Sequence, residues 1–126
     1  MKTLRTICLT LTLLLGSVGT SWGADLYKGL AAAQSGDFAT ALREFRPLAE
    51  QGDAGAQYNL GLMYGTGQGV IQDNVYAHMW WNIAASSGDK DAIGSRDIIA
   101  KRMTPSQLEK AQNLARECVR KNYKGC

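Results

Sequence analysis

His78 is the only histidine in 126 residues, and Cys8, Cys118 and Cys126 are the only cysteines. These residue types ligate metals and act as nucleophile or base, so their scarcity limits the chemistry at once. One imidazole and two distant cysteines lack metal-ligand spacing. No Ser or Cys stands beside His78 in a recognisable nucleophile motif, and neither Cys118 nor Cys126 has a histidine near it in sequence. His78 is better read as a surface or half-buried helix residue beside Trp81. Gly65-x-Gly67-x-Gly69 resembles a phosphate-binding loop only in its glycines. It follows a helical stretch rather than a strand and no Lys-Ser/Thr pair comes after it, so a chain turn accounts for it. Glu44 with Glu50, and Glu109 with Glu117, sit at ordinary helix spacings, and nothing marks them as general acid and base. The residues imply no catalytic site, no metal and no cofactor.

The charge balance, 14 Lys+Arg against 11 Asp+Glu for a net +3, is too weak to imply nucleic acid. With 20% charged and 45% hydrophobic residues the composition is that of a packed domain, not a disordered chain. Part of the basicity belongs to the N-terminus. Met1–Arg5 is basic, Ile7–Leu15 is apolar apart from two threonines, and Ser21–Trp22–Gly23–Ala24 follows. This is the order of a secretory signal peptide, and the apolar run is shorter than the roughly 20 residues that span a membrane. Cleavage after Gly23 puts Ser21 and Gly23 at the two small-residue positions. Residues 1–23 are therefore expected to be a leader and 24–126 one domain, destined for the periplasm or the exterior and without a membrane span. Losing Lys2 and Arg5 lowers the basic count from 14 to 12 against the same 11 acids.

The helical period positions the remaining residues. Leu26, Leu30 and Ala33 begin it; Phe38, Ala41, Leu42 and Phe45 continue it after Ser35–Gly36–Asp37. Ala56, Leu60, Met63 and Tyr64 mark a third helix, Val75, Met79 and Ile83 with Trp80–Trp81 a fourth, and Ala92–Met103 a fifth. Thr104–Pro105–Ser106–Gln107 opens a sixth with a capping box, and Leu108, Ala111, Leu114, Ala115 and Cys118 share one of its faces. Pro47 is expected to kink the second helix or leave it unpaired near Arg43. No alternation suggests strands. A shift of 36 residues lays Asp37 on Asp73, Ala41 on Ala77, Ala49 on Ala85, Gly52–Asp53 on Gly88–Asp89 and Ala56 on Ala92, with Phe45 on Trp81. A repeat of that length built from two antiparallel helices makes an α-solenoid. The expected fold is all-α, a short solenoid of about six helices whose terminal helices cap it.

Ala56–Gln57–Tyr58–Asn59–Leu60–Gly61–Leu62–Met63–Tyr64, then Gly67–Gln68–Gly69–Val70 and Gln72–Asp73, resembles the first half of a Sel1-like repeat. Ala77, Trp80–Trp81, Ala84–Ala85 and Gly88–Asp89 resemble its second half, and Gly36–Asp37–Phe38 with Ala41 resembles a shorter, tetratricopeptide-like repeat. The whole is similar to small exported bacterial Sel1-repeat proteins that end in a helix and a cysteine pair. The resemblance implies a right-handed superhelix used for protein–protein contact or assembly, without catalysis.

First helices line the concave side of such a stack. If Ala56, Leu60 and Tyr64 face the core, then Asn59, Leu62 and Met63, with Thr66 near them, fall toward the groove. There Asn59 can bond a peptide backbone and Met63 can adapt to apolar side chains; the alternative is that Leu62 and Met63 simply pack between repeats. The expected partner is a protein or peptide, held by a monomer. The alternatives are an envelope hydrolase of cell-wall or β-lactam type, some Sel1-like proteins having been so regarded, and a toxin-blocking immunity or accessory protein. Lys101–Arg102, Arg116, Arg120–Lys121 and Lys124 form either a solvated face or a patch for an acidic partner or anionic surface, interrupted by Glu109 and Glu117. Cys118 and Cys126 are expected to pair, because eight residues of tail can fold back and an exported chain with two cysteines tends to join them. The competing arrangement is a buried free Cys118 with Cys126 open to another chain.

Overall fold

The computed structural model describes residues 23–126. Cys8 and all but the last residue of the expected leader lie outside the described residues. Six helices run in order: α1 Leu26–Gln34, α2 Phe38–Glu50, α3 Ala54–Thr66, α4 Asn74–Ser86, α5 Lys90–Ala100 and α6 Pro105–Arg120. No strand occurs among the described residues, and no helix there is long and apolar enough to cross a membrane.

Gly-Asp pairs make three of the turns. Gly36, Gly52 and Gly88 have φ of 82°, 93° and 90°, a left-handed conformation that costs a Cβ-bearing residue energy. Each gives its N–H to one late carbonyl of the preceding helix, and the following Asp gives its own to the carbonyl one residue earlier: Asp37 to Ala32 at 2.9 Å, Asp53 to Leu48 at 3.0 Å, Asp89 to Ala84 at 3.3 Å. The same aspartates then accept from Thr40, Ala56 and Ala92 as N-caps. One dipeptide thus stops a helix and starts the next. Asp25 and Asp73 cap α1 and α4, and Thr104 with Gln107 forms the expected capping box on α6.

Alanines let the helices close up. Ala41, Ala49, Ala56, Ala77, Ala84, Ala92 and Ala111 have no exposed surface, and all but Ala84 and Ala111 belong to the 36-residue correspondence. Ala85 is the exception in that set, being only half-buried. Phe45, Leu60, Met63, Met79, Trp80, Ile83 and Cys118 fill one part of the core; Trp81, Ile99 and Met103 fill another with the small residues of α4, α5 and α6. Gly61 is what brings α3 onto α4. A Cβ there would stand 2.3 Å from Trp81 Nε1, which instead donates to Tyr58 O at 3.1 Å.

Pro47 does not end the second helix; α2 continues as one helix through it. The carbonyl of exposed Arg43 is left without its usual helix donor, as expected. α5 ends at Ala100 rather than Met103. Lys101, Arg102 and Met103 donate instead to Ile98, Ile99 and Ala100, a tightened turn, because Pro105 holds Thr104 in an extended conformation. α6 packs on α4, which is the central helix, in contact with α3, α5 and α6.

Candidate functional site

The three residues expected at the groove do converge. Asn59, Leu62 and Met63 of α3 face Leu30, Ala33 and Gln34 of α1 across a groove of about 260 Å³, with Phe38 and Phe45 of α2 beneath and Gln68 at one end. α1 contributes because Leu30, Ala33 and Gln34 lie at helical spacing on one face. α3 is held at the right depth by Gln57, fully buried, whose Nε2 donates to Ala49 O at the end of α2 at 3.1 Å. The loop after α3 closes back over it: Val70 packs on the core, and Gly69 passes so close that a Cβ would meet Met63 Cε at 2.8 Å and Phe38 Cβ at 2.9 Å.

The roles within the groove differ from expectation. Met63 is only 3% exposed and forms the floor rather than an adaptable rim. Asn59 spends its Nδ2 on Gly55 O, one turn back at 2.7 Å, which leaves its oxygen to accept a peptide N–H. Leu62 is half-buried and is the apolar side chain a ligand can reach. Thr66 is exposed but bonds back to Leu62 O at 2.7 Å, outside the lining. No charged side chain lines the groove, and Gln34 and Gln68 supply its remaining polarity. Sequence reasoning missed these two glutamines. Gln34 was legible from the period of α1; Gln68, on an irregular loop, was not.

The residues considered for chemistry have other work. His78 is buried, 4% exposed, not on the surface, because α4 is enclosed by its neighbours. Its Nδ1 has no partner among the described residues, and burial first, then the charge of Arg96, holds its pKa below the usual value, with Asp97 opposing. Glu44 takes the Asp25 N–H at 2.9 Å and Lys28 Nζ at 3.3 Å, tying α2 to the start of α1; the Asp25 bond chiefly lowers its pKa. Ser87-x-x-Lys90 has the spacing of a serine-hydrolase motif, but Ser87 is the C-cap of α4 and Lys90 opens α5 beyond the Gly-Asp turn. Both are exposed and share no hydrogen bond. No cluster of three metal-ligating side chains occurs among the described residues. Cys118 and Cys126 are joined at disulfide distance, their Cα atoms 5.6 Å apart.

Residues 54–89, which span α3, the glycine loop, α4 and the closing Gly-Asp turn, match the Sel1 repeat family model. No curated protein matches the chain. The chain therefore carries a Sel1-like repeat at its centre, and repeats of this kind generally mediate protein–protein interaction.

Proposed function

We propose that this Sel1-repeat chain is an exported interaction module that holds a protein or peptide partner in the groove between α1 and α3 and performs no chemistry itself. The observation that carries the reading is the convergence of Asn59, Leu62 and Met63 with α1 side chains on an uncharged groove backed by an apolar floor. Such a groove suits a neutral, extended segment that inserts an apolar side chain and satisfies its backbone on Asn59, Gln34 and Gln68. Export is supported by the basic-then-apolar N-terminus and by the cysteine pair, since disulfides persist in oxidising compartments. Cleavage after Gly23 leaves Asp25 in place to cap α1 and to reach Glu44.

Two measurements test it. The mass of protein recovered from the envelope should correspond to residues 24–126; a full-length membrane-integral product overturns the export reading. Asn59→Ala and Leu62→Ala in that mature chain should each weaken capture of its partner with helicity unchanged, while Lys110→Ala on exposed α6 should not. Equal loss in all three moves the partner away from this groove.

A further inference from the structure

A second groove lies between the C-terminal halves of α4 and α6, shares no residue with the first and is larger, about 740 Å³. Its floor is apolar: Ile83 is 2% exposed and Ala115 5%, while Val119 stands 46% exposed at the edge. Arg116 and Arg120 line it from α6, four residues apart and so on one face of that helix. Neither guanidinium has a carboxylate within ion-pair distance among the described residues; the ion pairs there are Lys28–Glu44 and Arg96–Asp97. The amide oxygens of the groove already each accept from an arginine. Asn82 Oδ1 accepts from Arg96 Nη1 at 3.2 Å, and Asn113 Oδ1 accepts from Arg116. Each keeps its NH2, so the polar rim offers mainly donors. Glu117 is the one carboxylate on that rim.

Two unpaired arginines beside an apolar floor, with amide donors between them, complement a ligand that brings carboxylates and carbonyl oxygens around one apolar side chain. Favourable charges at helix C-termini explain why Arg residues are tolerated here, but not why Val119 is left uncovered beside them. The groove has no aromatic residue on which a base could stack, and two arginines give a nucleic-acid backbone little purchase. We propose that the α4–α6 groove docks an acidic protein segment, an apolar residue flanked by Asp or Glu, whose carboxylates pair with Arg116 and Arg120 while the apolar side chain covers Ile83, Ala115 and Val119. It is a second docking surface, independent of the α1–α3 groove.

The test uses two fluorescent short peptides with the same central leucine, one flanked by glutamates and the other by lysines, titrated into the oxidised mature chain. The glutamate peptide should bind, and more weakly as salt rises. Arg116→Glu and Arg120→Glu should each weaken it by roughly tenfold or more, and the doubly reversed chain should gain affinity for the lysine peptide. Val119→Asp should weaken it too, and Leu62→Ala in the other groove should leave it unchanged. Arg116, Arg120 and Val119 are exposed, so thermal melts should stay near that of the unsubstituted chain, and the gain for the lysine peptide is a signal that misfolding cannot produce. Equal binding of both peptides overturns the proposal. So does full binding after the central leucine is replaced by serine, or equal competition by a single-stranded oligonucleotide or by anionic phospholipid vesicles.

Discussion

At the scale of single residues, the molecule depends on a few positions where size or charge leaves no latitude. Gly61 and Trp81 are one such pair. Any side chain at 61 displaces the indole, and with it the bond to Tyr58 O. Gly61→Leu should cost about 1–3 kcal/mol by overpacking, and a thermal melt should show it as a fall of several degrees. Ala84→Leu should fall in the same range; neutrality of the first would mean that α3 and α4 do not meet as described, and of the second that α4 is not packed closely at Ala84. Met63 belongs here rather than with the ligand contacts. Met63→Ala opens the floor under Gly69 and should destabilise by about 2–5 kcal/mol in chemical denaturation, whereas half-buried Leu62→Ala should cost much less. His78 sets a pH dependence of definite sign. Its pKa in the folded chain lies below the 6.5 of an unconstrained imidazole, so below 6.5 the unfolded chain binds the extra proton more readily. Stability associated with His78 is therefore complete above 6.5 and is lost as pH falls from there toward the folded pKa. His78→Leu should flatten that part of the stability–pH curve and leave the separate loss below about 4.5, where Glu44 gives up its bonds to Asp25 and Lys28, unchanged. An unchanged slope in the variant would assign the midrange dependence to other groups.

At the scale of helices, what was legible was whatever repeats. Glycine followed by aspartate marks three boundaries because one residue must adopt positive φ and the next must accept an N–H, and few other pairs do both. The 36-residue shift located the alanines of the helix contacts for a similar reason: close approach admits little else. Asp53→Ala should then cost about 0.5–2 kcal/mol through the lost bond to Ala56 N, and Thr104→Ala a similar amount through the capping box. Chemical denaturation of the two variants checks this, and an Asp53→Asn chain should recover most of the loss because its side-chain oxygen still caps. The three groove residues of α3 were legible from period alone. Their individual roles were not, since burial of Met63 depends on a loop whose path follows no period, and Asn59's bond to Gly55 is a rotamer choice. His78 was misplaced for a related reason: its burial follows from α4 being enclosed by α3, α5 and α6, a matter of packing order rather than of neighbours in sequence. The α4–α6 groove escaped as well, because a run of basic residues on α6 says nothing of Ile83, the part of the floor that α4 brings to it.

At the scale of the whole molecule, the last six residues decide how α6 is held. After Arg120 the chain reverses with Asn122 at φ 52° and Tyr123 at φ 66°; Tyr123 N donates to Cys118 O at 2.8 Å, closing the helix as the Gly-Asp turns close theirs. Tyr123 carries a side chain at positive φ, which costs energy, and its ring is used 71 residues back in the sequence, where it lies against Gly52 in the α2–α3 turn. Lys124 Nζ donates to Glu50 O at 3.2 Å beside it. Cys126 then joins Cys118 and packs with Tyr123 on the first part of the core. The tail thus ties the last helix, which packs chiefly on α4, to the turn that follows the first helix pair. An eight-residue loop is short, and the chain-entropy model gives about 2–3 kcal/mol for closing it. The consequence extends beyond that number, because freeing Cys126 releases Tyr123 and Lys124 from the α2–α3 turn as well. Cys118→Ser with Cys126→Ser should lower the melting temperature, and hydrogen exchange should speed up both in α6 and at residues 50–53, far apart in the sequence. Tyr123→Ala with the cysteines intact should reproduce the change at 50–53 with a smaller effect on α6. Exchange that rises in α6 alone would mean that the tail caps its own helix and ties down nothing else.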